Sequence, residues 1–264
     1  VFGINEDNHF AVAKLFENLR YIVIDELHHY RGVFGSHLAN VLRRLQRLCE
    51  FYGSKPQYIL CSATIGNPAE LAEKVTGRPI ELIDNNGAPT GEKHFIFYNP
   101  PVINRQLGIR KSSVNEAARI AGMFIGNDIQ TITFARSRVR VEVLTIYLKD
   151  QLAIQKIPPE RVQGYRGGYL PNERRAIERG LRSGEILGVV STNALELGID
   201  IGGLDVAVLC GYPGGIASAW QQAGRAGRKT DLSVAIMVAS SSPLDQFIVN
   251  HPEYFFGKSP EEGI

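Results

Sequence analysis

Short runs of β-branched and aliphatic residues recur along this chain, each separated from the next by a stretch with helical apolar spacing, and few folds accept that pattern. Tyr21–Ile24, Gln57–Cys61, Pro79–Ile83, His94–Tyr98, Thr131–Phe134, Val162–Tyr165, Leu187–Ser191, Val206–Cys210 and Val234–Val238 read as strands. Phe10–Leu19, His37–Phe51, Asn67 to Val75, Val114–Ile125, Ser137–Leu152, Pro171–Leu181, Ala217–Ala223 and Leu244–Val249 read as helices. Such alternation implies parallel sheets with crossover helices, an α/β fold. Tyr21–Ile24 is apolar throughout and is expected to be covered on both faces. In His37–Phe51 the spacing turns Leu38, Val41, Leu42, Leu45 and Leu48 inward and Arg43, Arg44 and Arg47 outward, with Gly32 and Gly35 ahead of it as turn residues. The stretch Asp84–Lys93 is polar and rich in turn formers, so it divides the chain. The expected parts are a first lobe at 1–84, a linker at 85–93, a second lobe at 94–250, and the start of a following region at 251–264. With 264 residues, 44% of them hydrophobic, two lobes can each hold a core.

The acids Asp25 and Glu26 directly follow the first strand. In open α/β sheets the carboxyl ends of strands face the ligand crevice. There Asp25 can hold a magnesium ion, and Glu26 can orient and deprotonate a water. An acidic helix start is the plainer alternative. Far downstream, Gln221, Gly224, Arg225, Gly227 and Arg228 form a Q-x-x-G-R-x-G-R run on a helix or at its end. Guanidinium forks suit phosphate oxygens and the charge that develops in phosphoryl transfer; a solvated basic helix end is the alternative. Between them, Ser191–Ile201 places hydroxyls at a strand end and Asp200 after a turn at Gly198. Those hydroxyls can grip a nucleic-acid phosphate, or simply cap a helix.

Taken together, these segments resemble the motifs of the superfamily-two DEAD/DEAH-box (DExH) helicases. Asp25-Glu26-Leu27-His28 is similar to motif II, Ser62-Ala63-Thr64 to motif III, Thr131–Arg138 to motif IV, Ser191–Ile201 to motif V and Gln221–Arg228 to motif VI. Tyr165–Glu178 resembles the segment between motifs IV and V. The stretches after motif II, at Gly87–Pro101 and at Leu244–Phe256 resemble the MrfA/YprA-like branch, mitomycin-repair-type DNA helicases related to the RecQ family.

The resemblance implies two RecA-like lobes, the first incomplete, and ATP with Mg2+ as the nucleotide and its ion. It implies Asp25 as magnesium ligand and Glu26 as catalytic base. Arg225 and Arg228 would be arginine fingers reaching to the γ-phosphate, Gln221 would position water or phosphate, and Gly198 and Asp200 would sense the nucleotide. It implies coupling roles for His28, Ser62 and Thr64, and contacts to the strand backbone from Thr192, Thr133, Arg136 and Arg138. Tyr30, Arg31 and Phe34 sit where an aromatic-rich coupling loop would lie and are candidates for stacking on bases; packing is the alternative. The activity implied is ATP-dependent 3′→5′ movement on single-stranded DNA or a 3′-tailed duplex, in DNA repair, by a monomer. An RNA helicase, a duplex translocase, or a nucleic-acid-binding module without hydrolysis are the alternatives.

The phosphate-cradling signature G-x-x-x-x-G-K-[ST] does not occur in this sequence; Gly257-Lys258-Ser259 has Pro252 where its first glycine belongs. The chain alone is therefore expected to hydrolyse no ATP. Cys49, Cys61 and Cys210 are far apart, so no zinc site or disulfide framework is expected, and a reducing, cytoplasmic setting fits. Net charge is +2, so any nucleic-acid surface must be a local basic groove. No apolar run reaches membrane-spanning length.

Overall fold

The computed structural model describes residues 13–63, 65–85, 87, 91–196, 204–227 and 232–262. They form two compact units, one of residues 1–86 with 259–264, the other of residues 87–258.

In the first unit, strands β1 (Tyr21–Ile24) and β2 (Gln57–Leu60) pair in parallel, Tyr21 opposite Gln57 and Ile24 opposite Leu60. Helices α1 (Gly32–Phe51) and α2 (Pro68–Thr76) pack on one face of this ribbon. Ile24, Leu27, Leu42, Leu71 and Val75 fill the space between. Pro68 starts α2 and Gly77, at φ 71°, ends it, the arrangement proline and glycine favour at helix ends.

Several expectations for this unit need correction. Among the described residues β1 is covered on one face only: Ile24 is buried, but Tyr21 and Val23 are 58% and 63% exposed. A two-stranded ribbon with helices on one side leaves its alternate side chains to solvent. Helix α1 begins at Gly32, not His37, so Gly32 and Gly35 belong to it. Gly35 serves packing: a Cβ there would lie 2.3 Å from the Tyr30 carbonyl oxygen. Val41 and Leu48 face outward, because the core-facing stripe runs through Ala39, Leu42 and Cys49. Residues 79–83 pair with no strand among the described residues. Residues 13–17 are helical; the earlier part of the expected first helix lies outside the described residues.

The second unit is a six-stranded parallel sheet in the order β3 (Lys93–Tyr98), β10 (Ser233–Val238), β9 (Val206–Cys210), β6 (Thr131–Ala135), β8 (Gly188–Ser191), β7 (Val162–Tyr165). Its central strands β6, β8 and β9 are buried throughout, as expected for inner strands of a parallel sheet covered by helices on both faces. Ile132, Phe134, Val189, Leu209 and Met237 enter one core. Ala135, Val190, Val208, Cys210 and Ile236, from the opposite face, enter the other. Helices α3 (Ser113–Ile125) and α4 (Arg138–Ile154) cover the second core. Helices α5 (Pro171–Ser183), α6 (Ile216–Ala223), α7 (Pro243–Asn250) and α8 (Pro252–Gly257) contribute to the first. Two elements were not read from sequence: α8, whose Phe255 is fully buried, and a hairpin of β4 (Val102–Asn104) and β5 (Ile109–Arg110).

All six strands of this sheet end at the same edge. The connection from β6 leaves toward β7, and that from β9 leaves the opposite way toward β10. The carboxyl ends of β6 and β9 therefore flank a topological switch point, where open α/β sheets hold their ligands.

Candidate functional site

In the first unit the acids sit where two strands let go of each other. The Cys61 N–H donates to the Ile24 carbonyl, and the Leu27 N–H donates to the Cys61 carbonyl, both at 2.9 Å. Between these fixed points the chain must turn sharply, and Glu26 takes up the strain with a left-handed backbone, φ 53° and ψ 46°. A non-glycine residue there costs of order 1–3 kcal/mol. The Glu26 N–H donates to Asp25 Oδ1 at 2.8 Å, which offsets part of that strain. The result is an exposed Asp25 and a half-buried Glu26 at the carboxyl end of β1.

His28 follows on a short 3-10 turn, its side chain only 10% exposed. Burial, with His29 and Arg31 nearby, lowers its pKa to about 4, and Asp25 only partly opposes this. The ring is therefore neutral at pH 7. Its Nδ1 accepts the Ala63 N–H at 3.3 Å, which leaves the proton on Nε2. Ser62 Oγ stands 3.5 Å from the same nitrogen. Glu26 Oε2 is 3.6 Å from Nδ1, but with a neutral ring this approach is not an ion pair. His28 thus ties the acidic turn to the segment after β2.

Beyond it, Tyr30 stacks on Phe34, centroids 5.4 Å apart and 20° between planes. Tyr30 is packed against the core, while Phe34, at 62% exposure, and the exposed Arg31 face solvent. A cleft of about 220 Å³ is lined by Tyr30 and Arg31 together with Asn40, Arg43 and Lys74.

In the second unit the expected backbone-gripping residues do not behave alike. Arg138 is exposed at the start of α4. Thr192 Oγ1 accepts the Ala194 N–H, capping a 3-10 turn. Thr133 needs correction: it lies in mid-strand on β6, 1% exposed, so its hydroxyl is sealed within the sheet and out of reach of a strand. Arg136 leaves the end of β6 and pairs with the fully buried Asp245 of α7. Burial alone would raise the Asp245 pKa, but hydrogen bonds from Ser240, the Arg136 charge and the Ser242 hydroxyl outweigh it and hold the carboxyl below its usual range. Gly211, at φ 88°, lies under this pair, and a Cβ there would come within 3.1 Å of both partners. The pair therefore occupies the switch point between β6 and β9.

Glu196 was not singled out from sequence. It is 6% exposed, accepts from Ser218 Oγ at 2.6 Å and from Gln222 Nε2 at 3.4 Å, and its carbonyl accepts from Arg225 Nη2. One residue thus joins the segment after β8 to α6 and to Arg225. The only available signal was its place in an apolar run, Ala194-Leu195-Glu196, where a carboxylate must find partners. Lys93 Nζ donates to the Ala223 carbonyl at 2.9 Å, closing the end of α6, and burial lowers its pKa. Gly227, at φ 86°, is required by fit as well as by angle, because a Cβ would lie 2.3 Å from Ser233 Oγ. Gln221 is half-buried on α6. The helix ends at Ala223, so Arg225 lies beyond its end, not on its face. Thr64, Gly198, Asp200 and Arg228 lie outside the described residues.

With this geometry in place, comparison with known proteins is informative. The DEAD/DEAH box helicase family matches residues 4–71, and the helicase conserved C-terminal domain matches residues 117–230. The chain belongs to the superfamily-two helicases, as a segment carrying parts of both of their motor domains. Within that class it is similar to the ATP-dependent helicase YprA of Bacillus subtilis, 63% identical over 96% of this chain and 34% of the relative. It is 43% identical to the ATP-dependent helicase HRQ1 of Saccharomyces cerevisiae, over 93% of this chain and 23% of the relative. A crystal structure of the DUF1998 helicase MrfA bound to DNA and AMPPNP matches at 62% identity and a TM-score of 0.92, over 97% of this chain and 35% of that one. The chain spans about a third of the length of the first of these relatives.

Proposed function

We propose that this chain is part of an ATP-driven helicase that moves 3′→5′ along single-stranded DNA and serves DNA repair. The observation that carries the reading is the acidic turn after β1: two carboxylates held out by a strained backbone, with a neutral histidine joining them to the segment after β2. Strain kept at one carboxylate is a mark of a working site.

In this reading Glu26 orients the attacking water and accepts its proton. Asp25 would hold magnesium, which would supply neutralising charge to the bound triphosphate. One exposed carboxylate suits that ion, which binds through one or two carboxylates plus phosphates and water. Among the described residues no cluster of three or more metal-ligating side chains offers a closed cage instead. Arg225 and Arg228 stabilise charge on the γ-phosphate, Gln221 positions water or phosphate, and Gly198 and Asp200 read the nucleotide state. His28, with Ser62 and Thr64, passes that state to the segment after β2. Arg136, Arg138 and Thr192 hold the strand backbone, Arg136 at the switch point in an orientation set by Asp245. Phe34 and Arg31 contact bases or backbone beyond the acidic turn, with Tyr30 packed behind Phe34.

DNA is preferred to RNA because the MrfA structure is a DNA complex; matched DNA and RNA substrates test the choice. In the full-length protein, Glu26→Gln should lower ATP turnover about 10²- to 10⁴-fold and leave AMPPNP binding intact. Turnover equal to wild type would remove Glu26 from the chemistry. The chain alone, without the phosphate-cradling sequence, should show no DNA-stimulated ATP hydrolysis.

A further inference from the structure

The β4–β5 hairpin has no part in the reading above, and its construction is unusual for a surface turn. Its base is braced. Arg110 Nη1 donates to the Pro100 carbonyl at 2.8 Å, and the Lys111 N–H to the Pro101 carbonyl at 3.0 Å. Just before it, Asn99 and Gln246 exchange side-chain hydrogen bonds of 3.1 and 3.2 Å, fixing the end of β3 to α7. The tip turn is closed by the Leu107 N–H on Asn104 Oδ1 at 3.1 Å.

The arm so held is aliphatic and bare, with Ile103 63%, Leu107 72% and Ile109 46% exposed. Around it stand the exposed Arg105, the half-buried Arg110, and Lys111, whose Nζ lies 3.8 Å from Glu116 Oε1; within the hairpin itself, residues 102–110, there is no acid. A rigid aliphatic tip in a cationic collar fits an apolar, polyanionic occupant. The end of a nucleic-acid duplex is such an occupant: aliphatic side chains unstack base pairs, and guanidinium groups hold phosphates.

Position agrees with this. The hairpin rises from the carboxyl edge of the sheet, the edge from which Arg136, Arg138 and Thr192 project. Strands β10 and β9 lie between β3 and β6, so the hairpin root is about 14 Å from the root of Arg136. That is roughly four base-pair rises along a duplex.

We propose that this hairpin is a strand-parting wedge, with Ile103 and Leu107 set against the last base pair of an incoming duplex and Arg105 on a backbone phosphate. The inference rests on the helicase reading and deepens it. It is tested in the full-length protein with the double variant Ile103→Ser/Leu107→Ser, whose side chains are exposed and outside the ATP site. Hydrolysis stimulated by single-stranded DNA should stay within about twofold of wild type, while unwinding of a 3′-tailed duplex should fall about tenfold or more. A 2-aminopurine at the terminal base pair should brighten when wild type binds with AMPPNP and should not brighten with the variant. Unwinding at the wild-type rate with the signal intact would overturn the wedge. A variant that loses hydrolysis and thermal stability together would also overturn it, showing that protein covers the hairpin. If wild type itself shows no DNA-stimulated hydrolysis, the helicase reading falls, and the 2-aminopurine signal, which needs no turnover, still decides the wedge.

Discussion

The acidic turn of the first unit and the polar network of the second handle charge in opposite ways. At Asp25 and Glu26 the carboxylates are held outward, with a strained backbone and few partners within their own turn. At Glu196 and Asp245 the carboxylates are buried and saturated by hydroxyl, amide and guanidinium donors. The first arrangement keeps its acids available to a ligand. The second spends its acids on fixing Arg136 and on joining Arg225 to the segment after β8. The lesson is a division between the two units: one holds its carboxylates outward on a strained backbone, and the other holds buried carboxylates with satisfied hydrogen bonds.

The largest test of this contrast is Asp245→Ala in the isolated chain. Removing the buried acid breaks its hydrogen bonds to Ser240 and Ser242 and its pairing with Arg136, which is itself 36% exposed; this should destabilise the second unit by about 3 kcal/mol, read by urea unfolding through the fluorescence of Trp220, the one tryptophan in the sequence. A loss below 1 kcal/mol would show that the network carries little. Because the Asp245 pKa is lowered on folding, its contribution is present above the unfolded carboxylate value near 4 and lost as pH falls through the folded value.

His28 should show a window of its own. Its folded pKa of about 4 lies below the unfolded value of 6.5, so the unfolded state binds more protons between them. Stability of the first unit should therefore fall by about 3 kcal/mol as pH drops from 6.5 to 4. Hydrogen exchange at the Leu27 and Cys61 amides reads it, and His28→Gln should flatten the slope. Glu196→Gln keeps the shape but removes the charge that the Ser218 and Gln222 donors satisfy, and should cost about 1–2 kcal/mol in the Trp220 signal. The smallest effect has the opposite sign. Glu26→Gly relieves the left-handed strain and should stabilise the first unit by about 1 kcal/mol, while the full-length protein loses turnover. If Glu26→Gly destabilised instead, the strain argument would fail.

Much of the scaffold was legible in advance. β6, β7, β9 and α3 lie within about a residue of where periodicity put them, because alternation and helical spacing are written locally. Less legible were features that depend on what arrives from elsewhere. Gly35 looked like a turn residue, but the Tyr30 carbonyl makes it a packing glycine inside α1. Residues 79–83 have a strand's composition and no neighbour to pair with among the described residues. Arg136 looked like a free phosphate ligand, and Asp245, more than a hundred residues later, has its own claim on it.

By itself the sequence determined the α/β class, the place of the acid pair at a strand end, and the ordered motifs that mark a superfamily-two helicase, since each depends on residues close together in the chain. Only the tertiary structure decided that Glu26 is strained, that His28 is neutral, that Thr133 is sealed in the sheet, and that Glu196 and Asp245 are hubs. Burial and pairing set those properties, and both are made by contacts between segments that sequence order keeps apart.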